Sequence, residues 1–157
     1  MASKTNAVRL VEQAKIPCRE AEYEFDENDL NGLHAAEGIG LPPEQVFKTL
    51  VARGASGGYY VFDIPVAATL DLKKAAHAVG EKSVAMLPQK ELLPLTGYVH
   101  GGCSPVGMKK QFPTVFHATA LQYDTVCVSA GKIGAQVECR PGDLIALLRA
   151  KTADIIV

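Results

Sequence analysis

Hydrophobic and polar positions follow first the period of a helix and then the period of a strand. Apolar residues recur at helical spacing from Ala7 to Ala14. Ile16-Pro17 ends this predicted helix because the residue before proline avoids the helical conformation. Over residues 18–25 the side chains alternate in character, which predicts a strand with one solvated face. On that strand Tyr23 and Phe25 lie on the same side.

The rest of the chain divides into short helices and strands separated by glycine and proline. Asp71 and Gly80 bracket one helix as an N-cap and a left-handed stop. Lys48 lies at a junction between a helix that begins near Pro42 and the first strand of a hairpin. The helix between Asp71 and Gly80 covers 72–79, and the other predicted helices cover 33–38, 88–97 and 141–148. The later strands cover 49–53, 59–64, 83–86, 114–117, 125–129, 136–140 and 154–157. Because no repeat, linker or low-complexity segment interrupts this order, we predict one domain over residues 1–157.

Composition and charge are those of an ordinary globular protein. Of the 157 residues, 48% are apolar and 21% are charged. The formal net charge of −1 argues against a protein that binds nucleic acid through bulk electrostatics, so any RNA contact must be local or shared with a partner. The apolar runs are too short to cross a bilayer, and the N-terminus lacks the apolar segment of a secretory signal. We therefore expect a cytoplasmic protein without a membrane partner.

Cysteine and histidine spacings give no sign of a metal site. The cysteines are Cys18, Cys103, Cys127 and Cys139, and the histidines are His34, His77, His100 and His117. Neither set contains a CxxC pair, a His–Cys cluster or an HExxH motif, so we expect no bound metal. In a reducing compartment, buried small hydrophobes are the ordinary fate of such cysteines. No GxSxG, Walker or GxGxxG motif is present either.

Two local features could carry chemistry. Lys48 stands where the chain turns apolar, so its ammonium either needs an anionic partner or extends along the surface to solvent. The loop over 101–107 contains three glycines, which allow backbone N–H groups to approach a ligand, although such loops are also plain turns. Within it Cys103 and Ser104 are conceivable nucleophiles, but the sequence places no evident base beside them, and His100 is only a conjecture.

The chain resembles the YbaK and prolyl-tRNA synthetase editing-domain family of trans-editing deacylases. The resemblance spans nearly the whole length. It rests on KTNA at 4–7, Ile16-Pro17, Tyr23, PPEQVFKTLVARG at 42–54, LDLKKAA at 70–76, GYVHGGCSPVGMKK at 97–110 and VSAGKIG at 128–134. FKTL, GGxSPxG and SxGKxG in that order form a specific combination.

The resemblance implies an α+β fold with a mixed, largely antiparallel curled sheet and surrounding helices. It also implies hydrolysis of the ester that joins an incorrect amino acid to the terminal ribose of tRNA, without a metal or organic cofactor. The family's essential pocket lysine matches Lys48, and we assign Gly101 and Gly102 as amide donors. The residues expected to bind substrate or shape the cleft are Tyr23, Phe25, Thr49, Ser104, Pro105, Gly107 and Asp143.

Substrate choice also follows from the resemblance. Alanine-clearing relatives commonly carry histidine where this chain has Gly107, which favours removal of cysteine from proline tRNA and leaves cysteine tRNA as a second option. In that branch the thiol of the substrate is thought to attack the ester. The alternatives are an alanine- or serine-specific deacylase on the same fold and a non-catalytic adaptor for prolyl-tRNA synthetase or tRNA. Expected partners are aminoacylated tRNA and prolyl-tRNA synthetase, with candidate phosphate contacts at Lys73, Lys74, Lys109, Lys110 and Lys132.

Overall fold

The computed structural model describes residues 4–26, 28 and 30–157, and these build two sheets. The smaller sheet is antiparallel throughout, and its strands are ordered β1-β7-β6. The larger is mixed, in the order β4-β2-β3-β5-β8, with β3, β5 and β8 parallel and the β2 pairings antiparallel. The strands are β1 Cys18–Glu22, β2 Phe47–Gly54, β3 Tyr59–Pro65, β4 Val84–Met86, β5 Thr114–His117, β6 Val126–Ser129, β7 Ala135–Cys139 and β8 Lys151–Ala153.

The helices are short, and several carry the end signals that the sequence predicts. Asp71 accepts hydrogen bonds from the backbone N–H groups of Lys73 and Lys74, and Gly80 ends the same helix with a φ of 74°. The helices are α1 Asn6–Gln13, α2 Gly32–Ile39, α3 Leu72–Val79, α4 Gln89–Thr96 and α5 Pro141–Leu148. The combination of helices with mixed sheets confirms the predicted α+β class.

One strand, β2, joins the two sheets. Val46, just before it, forms a parallel bridge with Cys127 of β6. On the same outer edge β4 pairs with only Ala52, Arg53 and Gly54. The sheets therefore meet at the start of β2, while β4 leaves the following stretch of that edge uncovered. This opening is where a ligand can reach the backbone and side chains of β2.

Apolar packing holds α1 and α5 against the smaller sheet and the start of β2. Val8 and Leu144 are fully buried in this cluster. Phe47 of β2 and Phe116 of β5 lie within it, with ring centroids 6.2 Å apart. Burying side chains of this size stabilises the fold by about 1.5–3 kcal/mol each, so the start of β2 is firmly anchored beside the opening.

Three of the predicted elements differ from the structure. The first strand ends at Glu22 and does not reach residue 25, so Tyr23 and Phe25 follow it. The helix predicted from Pro42 is a single 3-10 turn over Pro43–Gln45, because the chain extends into β2 almost at once. The last strand lies at Lys151–Ala153, not over 154–157. Ile155 is fully buried, and its N–H donates to His117 Nδ1, so the chain leaves β5 at this point. No helix within the described residues has the length and apolar run needed to cross a bilayer.

Candidate active site

A pocket occupies the opening between the edge of β2 and the smaller sheet. It encloses about 150 Å³, and an apolar cavity of about 150 Å³ is sufficient for a molecule the size of benzene. A small amino-acid side chain therefore fits. The lining comes from β2, the segment after β1, α2 with the residues before it, the loop at 100–103, and the facing ends of β6 and β7.

Lys48 is the cation of this pocket. It is the second residue of β2, and its side chain is half-buried in the lining. Burial lowers the pKa of the Lys48 ammonium below its ordinary value. No acidic side chain among the described residues pairs with it. Since a partly desolvated charge without a counter-ion is costly, an anionic ligand would stabilise this site.

Two aromatic side chains form one wall. Tyr23 donates its backbone N–H to the carbonyl of Gly134 at 2.9 Å, which ties the end of β1 to the turn before β7. An added Cβ on Gly134 would lie 2.7 Å from Phe25 Cδ1, so only glycine lets this ring lie against that turn. Gly134 is the last residue of the VSAGKIG motif, and the packing of Phe25 against it is one structural reason for a glycine at this position.

Some residues of the glycine-rich loop line the pocket, and others form hydrogen bonds within the loop. Gly101 and Cys103 line the pocket. Gly102 donates its N–H to the carbonyl of Val99 at 3.0 Å, so its predicted role as an amide donor to substrate is wrong for this conformation. Ser104 is fully buried, and its Oγ accepts from the backbone N–H of Val106 at 3.2 Å. That hydroxyl stabilises the loop and is not presented to a ligand.

The predicted substrate-binding residues divide in the same way. Tyr23, Phe25 and Thr49 line the pocket, as expected. Pro105 and Gly107 lie outside the lining, and an added Cβ at Gly107 would be 2.8 Å from the Tyr98 hydroxyl. These two positions shape the loop. Five predicted site residues line the pocket, and their roles in binding or catalysis remain predictions: Tyr23, Phe25, Lys48, Thr49 and Gly101.

Asp143 is not brought to the pocket. It lies in the first turn of α5, after the end of β7 that carries Cys139, whereas the pocket is at the end that carries Gln136. The prediction that Asp143 shapes the cleft is therefore corrected: it lies away from the pocket. The distance along β7 is the reason, because Cys139 is three residues after Gln136 in the strand and therefore lies about 10 Å from it.

Sequence reasoning missed the polar groups at the far side of the pocket. Ser129 and Gln136 are both buried and both line it. Gln136 Oε1 has no hydrogen-bond partner among the described residues. Ser129 opens the SxGKxG motif, and its Oγ accepts from the N–H of Gly131 at 3.1 Å. The sequence offered no signal for Gln136, because polar and apolar residues alternate along β7 as they do on a strand with one solvated face.

Cys103 lines the pocket but is not an activated nucleophile. Burial, with a smaller effect of the nearby Asp63 carboxyl, raises the pKa of the Cys103 thiol to about 12. At neutral pH this thiol is protonated and weakly nucleophilic. Cys127 and Cys139 are also buried free thiols, in line with the prediction that they serve as small hydrophobes. Within the described ranges no group of three His, Cys, Asp or Glu side chains could hold a metal ion.

Comparison with known proteins identifies the family to which the chain belongs. The aminoacyl-tRNA editing domain family matches residues 33–147. The chain belongs to this family. A solved structure described as a proposed trans-editing enzyme for prolyl-tRNA synthetase is 28% identical and superposes with a TM-score of 0.83 over 99% of both chains. A hypothetical protein at 23% identity and a TM-score of 0.85 shares the fold, covering 96% of this chain and 98% of its own.

A more particular relative comes from Enterococcus faecalis. The protein EbsC, described as a proposed Cys-tRNA(Pro)/Cys-tRNA(Cys) deacylase, is 47% identical over 152 residues, which is 97% of this chain and 93% of that protein. A Bacillus subtilis protein without an assigned function, YwhH, is 27% identical over 77% of this chain and 76% of its own. These matches confirm the family resemblance and the trans-editing deacylase class.

Proposed function

We propose that this deacylase removes cysteine from Cys-tRNA(Pro), with Lys48 binding the terminal ribose-phosphate. The observation that carries the proposal is the half-buried Lys48 ammonium, which lacks an acidic partner among the described residues and lies in a pocket sized for a small aminoacyl group. A tRNA 3′ end supplies the missing anion. Burial strengthens that contact because the local dielectric is low.

The remaining pocket groups would bind different parts of the substrate. Gln136 Oε1 is a buried acceptor without a described partner, and it would accept a hydrogen bond from the substrate α-ammonium. Tyr23 and Phe25 would cover the 3′-terminal nucleoside, since aromatic faces stack on bases irrespective of sequence. Gly101 remains the loop residue whose backbone could approach the ester.

The substrate supplies the nucleophile in this proposal. Its thiol sulfur bonds to the ester carbonyl carbon, the bond from that carbon to the ribose oxygen breaks, and the ribose oxygen takes up the thiol proton. Water then opens the resulting cyclic thioester to give free cysteine. Two observations support this route: the Cys103 thiol is held protonated, and the Ser104 hydroxyl is buried in the loop. Holding the thiol near the carbonyl supplies the acceleration.

A synthetase partner follows from the surface charge. Three of the five predicted phosphate-binding lysines already have protein partners: Lys74 pairs with Asp154 at 2.9 Å, Lys132 lies 3.8 Å from Glu22, and Lys109 donates to the Pro94 carbonyl. With a net charge of −1, the chain alone should bind tRNA weakly. Prolyl-tRNA synthetase would deliver the mischarged tRNA. Nanomolar tRNA binding at physiological salt by the chain alone would contradict this part.

Single-turnover deacylation tests the function. The parent protein is mixed with Cys-, Ser- and Ala-tRNA(Pro), and the rates are compared with spontaneous hydrolysis. We expect cysteine to be released much faster than serine, because serine has the same shape but a weaker nucleophile. Equal rates for serine and cysteine would contradict thiol assistance, and preferential release of alanine would establish the alternative specificity. Failure to release any of the three amino acids would leave the adaptor role.

A further inference from the structure

A carboxyl group lies directly behind Thr49, on the side away from solvent. Asp63 of β3 stands opposite Thr49 of β2 in the antiparallel register. The Asp63 side chain is completely buried, and its Oδ1 is 2.6 Å from Thr49 Oγ1. Its second oxygen, Oδ2, has no hydrogen-bond partner among the described residues. Thr49 itself lines the pocket, so one hydroxyl connects the buried acid to the ligand site.

The surroundings of Asp63 offer no compensating charge. Strand alternation places Asp63 on the same face as Val61, and Thr49 on the same face as Val51. The Asp63 carboxyl is near enough to raise the pKa of the Cys103 thiol in the glycine-rich loop, and that thiol is protonated at neutral pH. From β5, Phe116 is the residue in register. No cationic side chain in the described part of the chain pairs with this carboxyl.

A buried, desolvated carboxylate without a nearby cation is strongly disfavoured, so the neutral acid is the stable form. Burial accordingly raises the pKa of Asp63 to about 8, against the opposing effect of the Thr49 hydrogen bond. The neutral acid has one O–H group. Placed on Oδ1, that hydrogen donates to Thr49 Oγ1 and leaves Oδ2 as a carbonyl oxygen, which tolerates the lack of a partner better than a donor would.

We propose that Asp63 is a positioning residue for the deacylation reaction: as a neutral acid it donates to Thr49, which frees the Thr49 hydroxyl hydrogen to reach an oxygen of the bound ester or ribose. This inference rests on the proposed function. When Asp63 loses its proton, Thr49 must donate to the carboxylate and can only accept from the pocket. The same ionisation places a negative charge behind the carbonyl that becomes anionic in the transition state.

The test compares pH profiles. We expect Asp63→Asn to keep the neutral form at every pH, because its amide can donate to Thr49 as the acid does. The kcat/KM ratio of Asp63→Asn to parent, on Cys-tRNA(Pro), should be near one at pH 6 and grow about tenfold for each pH unit above the titration. Taking a ratio cancels the ionisation of the substrate, and spontaneous hydrolysis is subtracted from both rates beforehand. Asp154→Asn, at an exposed carboxyl paired with Lys74, is the matched control and should give a flat ratio.

Thr49→Val provides a second and independent measurement. Its rate loss relative to the parent should shrink as pH rises, since the parent then loses the same donor. In the Thr49→Val background, Asp63→Asn should change the pH profile less than it does in the parent, because only the charge of the carboxylate then remains to be removed. Should Asp63→Asn not fold, the Thr49→Val profile alone decides.

Two outcomes overturn the inference while leaving the function intact: a pH-independent ratio in an active parent, or a folded Asp63→Asn that loses activity equally at all pH values. An inactive parent would instead contradict the proposed function and this inference together.

Discussion

Phe25 lies against Gly134 so closely that an added Cβ would come within 2.7 Å of the ring. Gly134 also has a φ of 88°, a conformation that costs other residues about 1–2 kcal/mol. Phe25 is 46% exposed and lines the pocket, so this contact packs one side of an exposed ring against the turn. A tight backbone turn in one sheet thereby positions a side chain that follows β1.

Gly134→Ala should therefore raise KM for Cys-tRNA(Pro) by displacing Phe25, with a smaller effect on kcat. Gly57→Ala is the matched control: Gly57 has a φ of 95°, but nothing lies within 4 Å of its added Cβ. Both variants should lose about 1–2 kcal/mol of stability from backbone strain. Only Gly134→Ala should change KM in steady-state assays. Equal KM values for the two variants would contradict a role for Phe25 in binding.

Lys48 provides the most direct test of the site. Lys48→Ala should lower the single-turnover rate on Cys-tRNA(Pro) by two to three orders of magnitude, which corresponds to about 2.7–4 kcal/mol in the transition state. Lys48→Arg should not restore the rate, because a planar guanidinium cannot replace a compact ammonium in a pocket of this size. The melting temperature should be no lower than that of the parent, since removing a desolvated charge relieves a cost.

The control for Lys48 is Lys151→Ala, which removes an exposed lysine from β8 at the far edge of the larger sheet. Its rate should equal that of the parent. A Lys48→Ala variant with near-parental turnover would remove the central residue of the proposed site.

The local sequence predicted the elements well and the site only in part. The helix bounded by Asp71 and Gly80 lies where it was expected, because capping depends on residues adjacent in the chain. Gln136 and Asp63 were missed because their importance depends on burial and on strands that pair across the fold. Asp143 was misplaced for the complementary reason: a motif position does not reveal which end of β7 faces the pocket.

Cys103 distinguishes substrate-assisted from covalent catalysis. Cys103→Ala should keep most of the activity on Cys-tRNA(Pro), because the buried thiol, with a pKa of about 12, is protonated at neutral pH. Stability should fall by about 1 kcal/mol, since the side chain is only 8% exposed and packs with Met108 and Phe112. The measurement is single-turnover deacylation beside thermal melting. A folded variant slower by several orders of magnitude would indicate a covalent thioester on Cys103.

The free energy of unfolding should also change with pH as Asp63 ionises. Its pKa is raised from 3.8 to about 8 on folding, so the folded state binds more protons than the unfolded state between these values. The free energy of unfolding contributed by this group is therefore greatest below about pH 4 and falls as pH rises to about 8. Asp63→Asn lacks that titration.

The difference in free energy of unfolding, Asp63→Asn minus parent, should then become steadily more favourable to the variant from pH 5 to pH 8. Denaturant unfolding at each pH measures it, and taking the difference removes other titrating groups such as His117. The control is Asp154→Asn. Because Lys74 lowers the pKa of Asp154, its stabilising effect is already complete well below neutral pH, and the corresponding difference should stay constant over the same range. A constant difference for Asp63→Asn as well would show that Asp63 is ionised in the folded protein, and Thr49 would then be the donor in their hydrogen bond.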